Sequence, residues 1–346
     1  METQMKAVRL PGGQQVDVIE RPIPRPKPNE VLIKVRASAI CASDLSLYAG
    51  NALVGGANAG TGTITPGHEA AGDVVDIGAA VTYVKPGDRV AVHLSVGCMH
   101  CEYCRAGYIQ QCPEWQCVGF DVDGGDAEYM VVPETNCLPL PDALSYESGA
   151  VLVDNFGTQY HTQKRLGVSG RHTVAVVGLG PMGAAAVLIS RALGARVIAV
   201  DVLHGRLEQG SSLGATELVN SAEVDAVDRI RELTGGRGAD VVIECSGSPV
   251  GQNTALDAVA KLGAVAFVGE SRRTEINPSD QIIRKMLTVI GGWYFPRGEW
   301  DEIVRFVVGR SVPVEDLISH EFSIEDAEEA FRAFDRRETD KAVFIF

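Results

Sequence analysis

The chain has 346 residues, 45% of them hydrophobic and 22% charged, with 38 glycines and a formal net charge of −14. That length exceeds what one hydrophobic core usually serves, so two domains are expected. The acidic balance disfavours nucleic acid and anionic membranes as partners, and the hydrophobic content excludes a disordered or fibrous chain, leaving an α/β enzyme as the expected class.

Residues 1–10 carry no apolar run and no signal-peptide cleavage pattern, so a cytoplasmic protein with reduced thiols is expected. Residues 31–37, 72–77 and 89–93 are β-branched runs of strand length broken by Gly and Pro, and the Pro-rich segment 22–28 reads as an extended surface connection. Long helical periodicity is scarce over residues 1–150. Within this stretch stand Cys41 and the dyad His68-Glu69. Taken alone, Cys41 reads as a buried small residue and His68 as a hydrogen-bonded core histidine.

Cys98, Cys101, Cys104 and Cys112 follow with the spacing Cys-x2-Cys-x2-Cys-x7-Cys. Thiolates this close do not all pair as unstrained disulfides, but they can converge on one tetrahedral ion, which points to a closed structural Zn²⁺ site. A cluster of buried or redox cysteines is the plain alternative. An iron-sulfur cluster is another, supported only by Pro113 after the last cysteine.

After Gly170 the pattern changes. Residues 173–177 and 196–200 read as buried strands, 183–193 and 203–213 as helices, and 241–244 and 264–268 as further strands with a helix over 254–262 between them. Such alternation implies a parallel sheet covered on both faces. The uncharged stretch 173–190 is long enough to suggest a membrane span. Gly178, Gly180, Pro181 and Gly183 interrupt it, so no membrane segment is expected.

The same residues form a dinucleotide motif, Gly178-Leu179-Gly180-Pro181-Met182-Gly183, placed between a strand and a helix. Its glycines permit a tight turn and close approach of a pyrophosphate to the helix N-terminus. Asp201, ending the next strand, is suited to accept hydrogen bonds from ribose hydroxyls and to repel a 2′-phosphate, which favours NAD over NADP. A structural βα turn and a helix-capping aspartate are the corresponding plain readings. Arg206 is placed to neutralise a phosphate or, better at this offset, to lie against adenine.

From residue 295 the alternation stops. Residues 300–308 and 324–334 read as amphipathic helices and 342–346 as a last apolar strand. A discontinuous β-rich domain, residues 1–154 and 296–346, is therefore expected, with a nucleotide domain inserted over 155–295. Trp293-Tyr294-Phe295 at the end of the insert suits either a substrate cleft or packing.

Cys41, His68-Glu69, Gly72, Val75, Gly78, the Gly87-Asp88-Arg89-Val90 run, the four cysteines, the dinucleotide motif and Glu244-Cys245-Ser246-Gly247 occur in one order along the chain. In this the sequence resembles the zinc-dependent medium-chain alcohol and polyol dehydrogenases over essentially its whole length. The resemblance implies a GroES-like catalytic domain, β-rich, with an inserted Rossmann-type doubly wound parallel-sheet domain. It implies two zinc ions per chain and NAD.

By the same resemblance, Cys41 and His68 are two ligands of a catalytic zinc. The third falls on Asp154, because Asp154-Asn155-Phe156-Gly157-Thr158-Gln159-Tyr160-His161 looks like the carboxylate-containing segment of sorbitol and threonine dehydrogenases. Asp154 read alone is a helix N-cap. Glu69 becomes a nearby acid able to join or leave the metal, and Asp44 a second acceptor that fixes the tautomer of His68. Ser43 takes the substrate proton. Many relatives pass it to a histidine where this chain has Ser46, so the outer relay departs from the family pattern.

The implied reaction moves a hydride from a carbinol carbon to nicotinamide. Polyols, sugar-derived secondary alcohols and cyclitols are the expected substrates, ahead of L-threonine. A small-molecule alcohol or ketone is the expected partner, in a homodimer or homotetramer paired through an edge strand near residues 287–291. A zinc-free reductase of the same fold and a non-catalytic NAD-binding redox sensor are the rival readings.

Overall fold

The computed structural model describes residues 3–52, 54–55, 59 and 61–346. Two compact units emerge: Met1–Asp154 with Pro296–Val308 and Pro313–Phe346, and Asn155–Phe295 with Gly309–Val312.

The second unit is a six-stranded parallel sheet. Its spatial order is Glu217–Asn220, Arg196–Asp201, Thr173–Val177, Ala239–Glu244, Val259–Phe267 and Thr288–Gly291. The chain thus starts in the middle of the sheet, builds outward to one side and crosses back to build the other, the order of a doubly wound nucleotide fold. The central strand Thr173–Val177 reads Thr-Val-Ala-Val-Val, an apolar run with no alternation, as a strand covered on both faces requires. Val242, Ile198, Val200 and Val265 surround it in one fully buried cluster.

The segment that resembled a membrane span is a strand, a turn and the separate helix Pro181–Ala192. Among the described residues no helix is long and apolar enough to cross a membrane.

The helix expected over 254–262 is corrected. It runs Pro249–Ala258, opened by Ser248, whose side chain accepts from the Gly251 N–H. The strand Val259–Phe267 begins at once. Lys285 explains the early stop: its ammonium binds the carbonyls of Leu256 and Asp257 at 2.7 and 2.9 Å, satisfying the last turn.

The first unit centres on the strand Glu30–Ala39. Glu69–Ile77 pairs antiparallel along its whole length. Its other side is shared, with Tyr129–Pro133 along the first half and Lys341–Ile345 at the end. Val31, Ile33, Val35, Val74, Val90 and Val132 are buried in the core these strands enclose.

At the end of the central strand, Ala39 lies opposite Glu69 on one side and opposite Val343 on the other. Side chains directly opposite share a face, and so do residues two apart on a strand. Glu69 and Lys341 therefore project from the same face of the sheet, on either flank of Ala39.

Candidate active site

Cys41 follows the strand Glu30–Ala39, and His68 precedes the strand Glu69–Ile77 that pairs with it. The antiparallel register brings the two side chains together. Asp154 is not a helix cap, which corrects the plain reading of that residue. The cap is Ser145, accepting from the Ser148 N–H at 3.1 Å, and after the helix Tyr146–Val151 the chain widens into a π-helical turn, Leu152–Phe156, that contains Asp154. Such turns re-aim side chains and recur at functional sites.

The outcome is a cluster in which ligand atoms of Cys41, His68, Glu69 and Asp154 all lie within 4.8 Å of one another. His68 Nε2 is 3.3 Å from Asp154 Oδ2, and Cys41 Sγ is 4.0 Å from the same oxygen. On the far side of the ring, His68 Nδ1 stands 3.2 Å from Asp44 Oδ1, while Asp44 Oδ2 accepts the Cys41 N–H at 2.9 Å. Asp44 thereby makes Nδ1 the donor and leaves Nε2 with a lone pair. That Nε2 is buried without a hydrogen bond.

A thiol, an imidazole lone pair and a carboxylate oxygen facing one another form a set rich in acceptors, and a cation is what such a set holds. Mixed S, N and O donors with a further position available match a catalytic rather than a structural zinc. Burial lowers the basicity of His68, but Asp44 and Asp154 more than reverse it and hold the ring well above 6.5, so a cation at Nε2 competes with a proton there.

Two buried groups beside this cluster carry no signal in the local sequence. Lys341 donates to Glu69 Oε1 at 2.5 Å and to the Ile40 carbonyl at 3.1 Å, with both side chains essentially inaccessible. Burial pushes the Glu69 carboxyl up to about 7 against the pull of Lys341, whose own ammonium is held above 10.5 by the pair. Asp126, also fully buried, accepts from Ser38 Oγ at 2.6 Å, and burial raises its carboxyl to about 7.

Ser43 precedes the short helix Asp44–Ala49. The Ser46 hydroxyl turns back and donates to the Ser43 carbonyl at 2.6 Å.

The four remaining motif cysteines form a second cluster, their sulfurs within 4.8 Å of one another. All eight cysteines are free of disulfides. Backbone N–H groups point at the sulfurs: Cys101 N–H at Cys98, Cys104 N–H at Cys101, and Cys98 and Glu114 N–H at Cys112, over 3.3 to 3.4 Å. Donors aimed at sulfur favour thiolate. The His100 N–H leads in lowering Cys98 to about 6, whereas burial raises Cys104 to about 12. A side chain at Gly97 would place its Cβ 2.8 Å from Cys104 Sγ, so the chain crosses the cluster at the one residue that fits. Four convergent sulfurs suit a closed tetrahedral Zn²⁺.

In the second unit, the helix Pro181–Ala192 opens at Gly180 with Pro181 at its first position and no side-chain cap. Its first N–H groups are the kind that bind a phosphate. A Cβ on Gly183 would lie 1.9 Å from the Gly178 carbonyl, so helix and loop meet only with glycine there. Asp201 reaches this loop directly: its Oδ2 accepts the Leu179 N–H at 2.7 Å, and its Oδ1 accepts from Val202 and Leu203. The guanidinium of Arg206 lies over Gly180. Met182 accepts from the Asn155 amide through its sulfur at 3.5 Å. Trp293 and Tyr294 stack with ring centres 4.8 Å apart.

Known proteins resemble the chain over nearly its whole length. Residues 27–142 match the family description "Alcohol dehydrogenase GroES-like domain" and residues 181–309 match "Zinc-binding dehydrogenase". The chain is 33% identical to the sorbitol dehydrogenase of Bacillus subtilis, over 94% of this chain and 92% of that one. It is 35% identical to an L-threonine 3-dehydrogenase of Xanthomonas campestris, over 98% and 99%. The crystal structure of galactitol-1-phosphate dehydrogenase from Escherichia coli superposes with a TM-score of 0.90 at 31% identity, covering 99% of this chain and all of that one. A GroES-like unit, a doubly wound parallel sheet, two cation-ready clusters and end-to-end similarity lead to one conclusion: the chain belongs to the zinc-dependent medium-chain alcohol dehydrogenases, alcohol oxidoreductases whose cofactors are zinc and NAD.

Proposed function

We propose that this enzyme oxidises a secondary alcohol, of the polyol, sugar-derived or cyclitol class, to the ketone, with Cys41, His68 and Asp154 holding the catalytic zinc and Cys98, Cys101, Cys104 and Cys112 a structural one. The observation that carries the reading is the orphaned, fully buried Nε2 of His68 facing Asp154 Oδ2 at 3.3 Å beside a free thiol. Zinc bound there supplies a Lewis acid that acidifies a substrate hydroxyl, and NAD supplies the hydride acceptor.

The chain's own residues do the rest. Asp44 fixes the ring of His68 and the backbone of Cys41. Ser43 takes the substrate proton. Ser46 donates its hydroxyl hydrogen to the Ser43 carbonyl and stands where many relatives have a histidine, so water or another group carries the proton onward from Ser43. Gly178, Gly180, Pro181, Met182 and Gly183 bind the dinucleotide, Asp201 selects NAD, and Arg206 lies against adenine.

A carboxylate as third ligand and the similarity to a sorbitol dehydrogenase support the polyol class. L-Threonine is the second reading, favoured by 35% identity over nearly the whole length of a threonine dehydrogenase. NADH formation across a panel of polyols, sugar alcohols, cyclitols and L-threonine separates the two, and no turnover with any member would overturn both.

The enzyme is further proposed to act in the cytoplasm, where its eight free thiols persist. It is proposed to assemble as a homo-oligomer through the edge strand Thr288–Gly291, which would otherwise offer unpaired backbone for association. Sedimentation at micromolar concentration showing only monomer overturns that assembly.

A further inference from the structure

We propose that His100 and Glu114, together with Cys98, form an outer landing site through which zinc enters and leaves the four-cysteine cluster. The inference rests on Cys98, Cys101, Cys104 and Cys112 holding an ion.

Ligand atoms of Cys98, His100 and Glu114 lie within 4.8 Å of one another, and Cys98 belongs both to this group and to the four-cysteine cluster. Thiolate, imidazole and carboxylate are all zinc ligands. His100 and Glu114 are exposed, Cys98 and Cys101 partly so, and Cys104 and Cys112 are buried. The sulfurs thus run from surface to interior, with the outer group at the surface end. The inner side is closed. Ile109 packs against Cys104 and Cys112 with Trp115 beside them, and the chain passes at Gly97 with no room for a side chain.

Local geometry puts both outer side chains there. His100 follows Met99, whose left-handed φ of 60° turns the chain sharply between Cys98 and Cys101. The Cys98 carbonyl, 2.7 Å from Nδ1, holds the ring, making Nδ1 the donor and leaving a lone pair on Nε2. Glu114 stands two residues past Cys112, and its N–H points at that sulfur over 3.3 Å.

A hydrated dication does not reach two buried sulfurs without losing water. Cys98, His100 and Glu114 replace that water at the surface. Cys101, Cys104 and Cys112 then displace the imidazole and the carboxylate while Cys98 stays bound, and protons on the inner thiols pass to solvent. Release follows the same steps backward.

The test mixes the zinc-loaded enzyme with Cd²⁺, a soft ion suited to thiolates, and follows thiolate-to-cadmium absorption as the four sulfurs exchange their metal. His100→Ala combined with Glu114→Gln removes both outer side chains and keeps both backbone N–H groups, so this double variant should hold as much zinc as the native enzyme and turn over as fast. Its exchange is expected to be slower by roughly tenfold or more, the scale on which groups beside metal ligands act. Each single variant should show part of the slowing, and these carry the test if the double variant does not fold. Glu102→Gln, which removes an exposed acid of the same lobe outside the group, should exchange at the native rate. Unchanged or faster exchange in the double variant, a fall in its zinc content, or equal slowing in Glu102→Gln overturns the proposal. A native enzyme that develops no four-thiolate absorption overturns the reading of the four cysteines and this proposal together, whereas full absorption at an unchanged rate in the double variant overturns this proposal alone.

Discussion

Asp44 satisfies two partners at once, with Oδ1 3.2 Å from His68 Nδ1 and Oδ2 2.9 Å from the Cys41 N–H, so one buried carboxylate sets both the ring and the backbone of two candidate ligands. Asp44→Asn keeps the volume but offers a single acceptor oxygen where two N–H groups each need one. Zinc affinity at this site should fall roughly ten- to a hundredfold, measured by chelator competition. Unchanged affinity would show that neither bond orients a ligand.

Asp154 is the proposed ligand that the π-helical turn supplies. Asp154→Asn removes the charge and keeps the shape, so the protein should fold, bind NADH and keep the structural zinc. It should lose more turnover than the roughly ten- to hundredfold that outer partners cost. Full activity with both zinc ions present would send the search for the third ligand to Glu69.

The four-cysteine cluster has no place for substrate, since four thiolates fill a tetrahedral ion. Cys101→Ser should therefore give poorly folded or dissociating protein, read by circular dichroism and gel filtration, because the metal's binding energy there is folding energy. A well-folded variant that lost only turnover would overturn the structural role.

Cofactor choice is expected to follow Asp201. A carboxylate beside a 2′-phosphate is a like-charge contact costing several kcal/mol, so kcat/KM should favour NAD over NADP by more than about a hundredfold. Equal use of the two by the native enzyme would remove Asp201 from that role.

Acid stability has a local source in Asp73. Burial pushes its carboxyl up, but a hydrogen bond from the Tyr146 hydroxyl and the Arg36 guanidinium, whose Nε lies 2.7 Å away, prevail and hold it below 3.8. A depressed carboxylate stabilises the fold at pH above its unfolded value, and that contribution disappears as pH falls from about 3.8 through the lower folded value. Asp73→Asn should thus lower stability at neutral pH and flatten the acid limb below pH 4 in a denaturation series. A parallel downward shift at every pH would assign the effect to packing instead.

Much of this fold is written in local pattern. The run Thr173–Val177 and the glycines that come after it carry a strand, a turn and a helix start within a dozen positions, and four closely spaced cysteines need little tertiary context to suggest a metal. What escapes is whatever depends on register or on a distant partner. Lys341 looks like an exposed strand end until the pairing of Ala39 with both Glu69 and Val343 is known. The helix before Val259 ends where Lys285, far along the chain, binds its last carbonyls. Asp126 follows two glycines in a stretch that reads as a polar turn, yet it is fully buried behind the site.

The pairing of Glu69 with Lys341 spans 272 positions, and the whole second unit is threaded between them. During synthesis, residues 155–295 leave the ribosome as one contiguous stretch and can complete their sheet while Glu69 still waits for its counter-ion. The cluster of Cys41, His68, Glu69 and Asp154 then gains its buried counter-ion only once residue 341 has emerged.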